Sequence, residues 1–583
     1  MIKKFLVLLL TTVVLSGGVA AAQIEDDPAA WSVVPLPAVD VAGLPAARAG
    51  NPKLDTALAA LAGADDRAAT AETFGLRYEG GQVQTKVIAG PDGVDAARAA
   101  ITQAVGEVTD VFGDELQAWL PPAQLTEVAA QPAVAAVRAP DLAVLAEDEA
   151  LAATTEGVAA ANADEWHTAG WRGQGVTIAV IDAGFVGYAG LLGSDLPQNV
   201  VVKNFVDGQN DSQVDTTTAH GTACAEIAHD MAPAATLYLL KISTDLDLSQ
   251  AVNYAIGQGV DVISTSLTFV NVTPGDGTGR FATLAQQARE AGILWVTAAG
   301  NYRETHWSGS FTDADADALH EFAPGVEVNV FGPGNNTGFL IPAGVSLSPS
   351  IRWDDWTAVN QDYRLLLLRY NGSNFEIVAS SNNAQTGLAG QRPTERISYI
   401  TSAQPSIYGV AVQRVGSTRN VHLHLLTPNR ELDRRTPAMS LGNLADVAAV
   451  MTTAAVDVDV PFVREQYSSE GPTNGPGGAP GGGQLKPNIA AFANVSTASY
   501  GTRIFNGTSA ATPHVAGAAA QTLSAFPDAL PGELQDFLQS RAVDQGPVGV
   551  DPQFGYGRLY LAGPPDIWDY PFHLFVPAVV QSP

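Results

Sequence analysis

The run Val176-Thr177-Ile178-Ala179-Val180-Ile181 constrains the fold more than any other stretch of this sequence. It does not alternate apolar and polar side chains, so a strand built from it must be covered on both faces. Further strands are expected at 235–242, 261–268 and 292–299. Helical spacing is expected at 223–231, 248–258 and 280–292. Alternating strand and helix predicts an α/β fold with a parallel sheet between helices, and ligands of such sheets bind beyond the C-terminal ends of the strands. Three chemistry-bearing residues fall at strand ends or helix starts: Asp182 after Ile181, His220 in His220-Gly221-Thr222, and Asn301 closing Ala298-Ala299-Gly300-Asn301. Taken singly, each has a plain alternative: a capping aspartate, a surface histidine and a turn asparagine.

The second informative stretch is Gly507-Thr508-Ser509-Ala510-Ala511-Thr512-Pro513-His514-Val515-Ala516-Gly517, which runs on into Ala518-Ala519-Ala520. Its small residues predict a close-packed helix that Ser509 enters at the start. Pro513 is expected in the first turn, where its missing N–H leaves nothing unpaired. A helix N-terminus offers free backbone N–H groups and the positive end of the dipole, which suits an oxyanion forming beside Ser509. A buried Ala/Gly helix with an incidental serine is the competing reading of this segment alone. A base and an acid elsewhere decide between the two. Serine is a weak nucleophile, imidazole can take its proton near neutral pH, and a carboxylate orients the imidazole and stabilises its charged form. Asp182, His220 and Ser509 supply all three, in the chain order known from subtilisin. Asn301 adds an amide donor that could join the Ser509 N–H around an oxyanion.

With 583 residues the chain has room for several domains, and 46% hydrophobic against 15% charged residues supplies cores for them. A net charge of -30 disfavours nucleic acid and anionic membrane surfaces as partners. Met1-Ile2-Lys3-Lys4, the apolar run 5–15 and the small residues 17–22 read as a secretory signal peptide over 1–22, with an uncleaved anchor as the alternative. No later segment is long and apolar enough to span a bilayer, so no membrane span is expected in the mature chain. Cys224 is the only cysteine, so stability rests on packing or bound ions, not on a disulfide within the chain.

Residues 23–55 read as an irregular Ala/Pro-rich leader. Strands at 84–89, 116–120 and 134–137 and helices at 93–105 and 122–131 then form a small α+β unit, followed by an Ala/Glu-rich connector, 142–155, suited to cleavage. After Asn301 the α/β rhythm stops. Alternating polar and apolar runs punctuated by Gly, Asn, Pro and Ser continue to about Arg435, which predicts a β-sandwich inserted into a surface loop. The α/β pattern resumes at 446–450.

Val180-Ile181-Asp182-Ala183-Gly184, His220-Gly221-Thr222, Ala299-Gly300-Asn301 and the run from Gly507 to Gly517 resemble, in that order, the signature blocks of the subtilisin-like serine peptidases. The likeness covers 156–301 and 437–561. It implies a subtilisin-like parallel sheet flanked by helices, Asp182, His220 and Ser509 as catalytic triad, and Asn301 as oxyanion residue. It implies further that the edge 264–268, with Ser264, Ser266, Leu267 and Thr268, pairs with an extended protein or peptide substrate. Ala298, Ala299 and Gly300 would form the opposite wall of the pocket for the residue before the cut. Many family members have Gly where Thr268 stands, so reduced acceptance of bulky residues before the cut is expected. Cys224 resembles the free thiol beneath the catalytic histidine in proteinase-K-like members; a small buried core residue is its plainer reading. The unit at 84–137 resembles the propeptides that chaperone and inhibit these enzymes, which makes the chain's own propeptide an intramolecular inhibitor.

The resulting division is 1–22 signal peptide, 23–155 propeptide with its linker, 156–301 and 437–562 catalytic domain, 302–436 inserted β-sandwich and 563–583 tail. No cofactor is required by this reading. Ca²⁺ is a candidate structural ion, and Asp313, Asp315 and Asp317 stand at alternate positions that could suit it, but the Gly of a Ca²⁺ loop is absent and a solvated acidic turn competes. His422 and His424 would share a strand face, too few for a metal site. Two other function classes remain: a binding or adhesion protein on a vestigial peptidase scaffold, and an esterase. The esterase lacks support because Ser509-Ala510-Ala511 has no second Gly of a nucleophile elbow.

Overall fold

The computed structural model describes residues 31–36, 51–144, 154–401, 404–428 and 430–564. The expected signal peptide, the middle of the connector and all but the first residues of the tail lie outside the described residues.

Seven parallel strands form the central sheet, in the order Ile489–Ala493, Met451–Asp457, Leu294–Ala298, Val262–Thr265, Thr177–Asp182, Thr236–Lys241 and Val201–Asn204. The apolar run from Val176 to Ile181 supplies the fifth of these. Its residues serve two cores at once. Ile178 and Val180 pack with Ala223, Ile227 and Ala511 on one side; Ala179 and Ile181 pack with Leu248, Val252 and Leu284 on the other. The first layer holds the helices His220–Met231 and Gly507–Ala525, and the second holds Asp245–Gln258 and Arg280–Glu290. That is why the run carries no polar alternation. No helix among the described residues is long and apolar enough to cross a membrane.

Leu294–Ala298 and Met451–Asp457 are neighbours in this sheet, with Val296 opposite Met451, although about 150 residues separate them in sequence. The intervening chain forms two antiparallel four-stranded sheets. One runs His306–Ser310, His422–Leu426, Ser350–Trp353, Thr394–Arg396; the other runs Asn329–Val330, Tyr408–Gly416, Asp362–Tyr370, Phe375–Ser381. Trp307, Ile351 and Leu425 of the first pack on Leu365, Leu367 and Val410 of the second, so the region is a sandwich, as its alternation indicates. His422 and His424 do lie two apart on one strand, with ring centroids 5.1 Å apart. The carboxylates of Asp313, Asp315 and Asp317 converge at an exposed turn, where Asp317 accepts from the Leu319 N–H.

The N-terminal unit contains the expected strands, as Gln82–Ala89, Glu115–Leu120 and Val134–Arg138, and the helices Val94–Gln103 and Leu125–Ala130. It also contains elements beyond those expected. Glu107–Phe112 adds an edge strand to Glu115–Leu120. Thr56–Gly63 and Arg67–Thr73 are helices, capped by Asp55 and Asp66, whose carboxylates accept from Ala57 and Ala69 N–H groups. The leader is not wholly irregular: Val33–Pro35 pairs antiparallel with Thr337–Phe339 of the sandwich, and Trp31 packs on Phe339.

One local expectation is overturned. The helix starts at Gly507, so Pro513 lies inside it, beyond the first turn. A proline there withholds the N–H that would pair with the carbonyl four residues back, which is that of Ser509. Ser266 Oγ donates to that carbonyl instead, at 2.9 Å, and Cys224 Sγ lies 3.7 Å from it.

Candidate active site

Asp182 ends its strand and His220 begins its helix, so both stand at the C-terminal edge of the sheet. His220 Nδ1 lies 2.9 Å from both carboxylate oxygens of Asp182, and both side chains are wholly buried. Gly221 permits this approach. A Cβ there would come within 2.7 Å of the Asp182 Cβ and 2.5 Å of the Gly184 carbonyl. Burial alone would depress the imidazole pKa, but the Asp182 carboxylate outweighs it and holds His220 well above the ordinary 6.5. The Phe505 ring meets the His220 ring edge-on, with centroids 5.5 Å apart.

Ser509 is the third residue of the Gly507–Ala525 helix, so its N–H belongs to the first turn, which has no intrahelical acceptor. Its Oγ donates to the Ser266 carbonyl at 3.1 Å. His220 Nε2 is buried with no hydrogen-bond partner among the described residues. Cys224 Sγ lies near both residues, 4.0 Å from His220 Nδ1 and 3.7 Å from the Ser509 carbonyl, and the Ser509 hydroxyl is bonded to Ser266 and not to the imidazole. Burial pushes the Cys224 thiol pKa up.

Asn301 Oδ1 accepts from the N–H and the hydroxyl of Thr508, each at 3.0 Å. Its amide NH₂ is the remaining end, a donor held beside the start of the Ser509 helix. Thr508 Oγ1 also accepts from the Gly300 N–H at 3.2 Å, so one threonine fixes both. Gly300 adopts φ +103°, and the Tyr302 ring lies 2.8 Å from where a Cβ would stand. Ser264, Ser266, Leu267, Thr268, Ala298 and Ala299 are all buried around this edge. The Thr268 hydroxyl is hydrogen-bonded to that of Tyr302.

The groove at this edge is filled. The Ala143 N–H donates to the Ser243 carbonyl and the Val144 N–H to the Thr268 carbonyl, both at 3.0 Å, while the Asp245 N–H donates to the Asp141 carbonyl at 3.1 Å. Leu142 pairs antiparallel with Thr244, and Val144 with Thr268. An extended piece of the N-terminal unit thus lies between two backbone edges. An open cavity of about 570 Å³, lined by Arg303, Arg435 and Arg464 among others, includes none of the residues above.

Of the residues expected at the site, the structure pairs Asp182 with His220, joins Asn301 to Thr508 next to Ser509, and joins Ser509 to Ser266. Sequence reasoning did not find Tyr302, Thr508, Ser243 or Thr244 as parts of the site. Thr508 was legible as the residue before the serine; Ser243 and Thr244 follow a strand end, the position where such sheets bind ligands.

The sequence model described as "Subtilase family" matches residues 173–557. A solved structure, the Clostridium perfringens CspB protease, is similar at 14% identity and a TM-score of 0.48, over 70% of this chain and 98% of that one. No curated protein matches the sequence.

Proposed function

This chain belongs to the subtilase family of serine-type endopeptidases, and on that premise we propose that Ser509, His220 and Asp182 hydrolyse peptide bonds through an acyl-enzyme. The observation that carries the assignment is the buried Asp182–His220 pair, whose Nε2 has no partner among the described residues, with Cys224 Sγ near both His220 and the carbonyl of Ser509 in the first turn of a helix. Ser509 Oγ leaves Ser266, gives its proton to His220 Nε2 and attacks the substrate carbonyl. Asp182 stabilises the imidazolium so formed. The Asn301 amide and the Ser509 N–H donate to the oxyanion; loss of one such donor costs about 2.7–4 kcal/mol of barrier. The imidazolium then protonates the leaving amine, and water repeats the sequence to free the acid and restore Ser509.

The N-terminal unit acts as a propeptide that inhibits by lying in the groove as a substrate would. Antiparallel register advances residue for residue: Val144 stands at Thr268, so the second substrate residue beyond that position stands at Ser266, beside Ser509 Oγ. On this register the self-cleavage bond is Ala146–Glu147, inside the connector. A small alanine before the cut agrees with the reduced space expected from Thr268. The domain division follows: propeptide, a catalytic domain interrupted by the sandwich, and a short tail, with secretion directed by the N-terminal signal.

The test is proteolysis of casein by the processed protein, by Ser509→Ala and in the presence of a serine-directed covalent inhibitor. Activity is expected in the first and loss in the other two; absence of proteolysis by the processed wild type would overturn the assignment.

A further inference from the structure

The strand in the groove touches the inserted sandwich as well as the catalytic sheet. Asp141 Oδ2 lies 3.0 Å from Arg392 Nη1, and Asp141 Oδ1 lies 3.3 Å from Arg396 Nη2. Arg396 ends the strand Thr394–Arg396, and Arg392 shortly precedes it. Three residues further on, Val144 packs against Val270, Tyr302 and Leu426, the last again from the sandwich. The insert therefore supplies part of the wall along which an extended chain lies.

The charges at this point divide unevenly between the parts. Lys86 is buried and pairs with Asp141 at 2.7 Å and Asp245 at 2.5 Å. Arg280 pairs with Asp245 and Glu115. Arg392 pairs with Glu115 at 2.8 Å and with Asp141. Arg396 pairs with Asp141 and donates to the Val270 carbonyl at 3.0 Å. Loss of the N-terminal unit removes Lys86, Glu115 and Asp141 together. Asp245 then keeps Arg280. Arg392 and Arg396 then have no carboxylate within ion-pair distance among the described residues, although Asp245, paired with Arg280, still acts on Arg392 at longer range; both guanidinium groups flank the groove. Guanidinium forks in that position suit a carboxylate better than any other side chain.

We propose that Arg392 and Arg396 form a subsite for an acidic side chain three residues N-terminal to the substrate residue that pairs with Thr268, so that the mature peptidase selects extended segments carrying Asp or Glu there. The proposal rests on the reading of the N-terminal unit as a removable propeptide. It also gives the insert a part in substrate choice, because the sandwich extends the groove beyond the catalytic sheet and reads a charge that the sheet itself does not read.

The processed enzyme is assayed on a quenched-fluorescent peptide with the sequence of residues 139–150 and on the same peptide with Asp141→Asn. The aspartate peptide is expected to show a kcat/KM about tenfold higher, the scale of a hydrogen-bonded charge. In Arg392→Gln/Arg396→Gln the difference vanishes, and in Arg392→Glu/Arg396→Glu a peptide with Asp141→Lys becomes the better substrate. Equal rates of the wild-type enzyme on the first two peptides, or an undiminished difference in the glutamine variant, overturn the proposal and leave the peptidase assignment standing. Cleavage of neither peptide nor casein overturns the assignment, and the subsite with it. Should the variants not fold, the wild-type comparison decides alone, with Asp141→Glu expected to retain most of the preference.

Discussion

Ser509 is held by an exchange of hydrogen bonds with Ser266: its hydroxyl donates to the Ser266 carbonyl, and the Ser266 hydroxyl donates to its carbonyl. The second bond exists because Pro513, four residues on, has no N–H to give. The motif places serine, histidine, aspartate and asparagine from sequence alone because each is fixed at a strand end or helix start, and those ends are set by local pattern. The position of Pro513 is not legible for the same local reason. A proline after a serine reads as a first-turn residue until the helix start is known to be Gly507. His220 leads to a pH prediction. Only neutral imidazole can accept the Ser509 proton, so kcat/KM rises with pH as His220 loses its charge. With its pKa held well above 6.5 by Asp182, against the pull of burial, the acid limb is expected above that value. Asp182→Asn removes the counter-charge and leaves burial, so the limb moves to lower pH while the plateau falls by about 10⁴. A pH–rate profile of the two proteins checks this; an unmoved limb contradicts it.

Elements met with mixed success from sequence, and the misses share a cause. The central strands announce themselves because burial on both faces leaves nothing polar to show. Glu107–Phe112 and Val201–Asn204 lie at sheet edges, and their charged or short sequences lack that signal. Val33–Pro35 becomes a strand only because Thr337–Phe339, far along the chain, offers it an edge. The helices Thr56–Gly63 and Arg67–Thr73 were legible in their caps, Asp55 and Asp66, more than in their Ala-rich bodies. The close seat of the His220–Met231 helix on the end of its strand depends on Gly221. Gly221→Ala puts a methyl group against the Gly184 carbonyl and Asp182 and is expected to destabilise the fold by about 1–3 kcal/mol. Thermal unfolding in a Ser509→Ala background, where self-digestion is removed, measures it; a loss below that range means the helix shifts freely.

Three parts of the molecule meet at one ionic junction, and nothing in local sequence could have joined them. Lys86, Glu115 and Asp141 come from the N-terminal unit, Asp245 and Arg280 from the catalytic sheet's helices, Arg392 and Arg396 from the sandwich. Burial would raise the Glu115 carboxyl, but Lys86, Arg392 and Arg280 outweigh it and bring its pKa down to about 2. The same unit hydrogen-bonds to the catalytic part through Gln117, which accepts from the Thr244 hydroxyl at 2.9 Å and donates to Asp247 at 3.1 Å. All of this holds Asp141 to Val144 in the groove. The direct test is the intact mass of purified wild type beside Ser509→Ala. The wild type is expected as two fragments divided at Ala146–Glu147, and the variant as one undivided chain. A variant cut at the same bond, or a wild type left whole while it digests casein, would contradict the account.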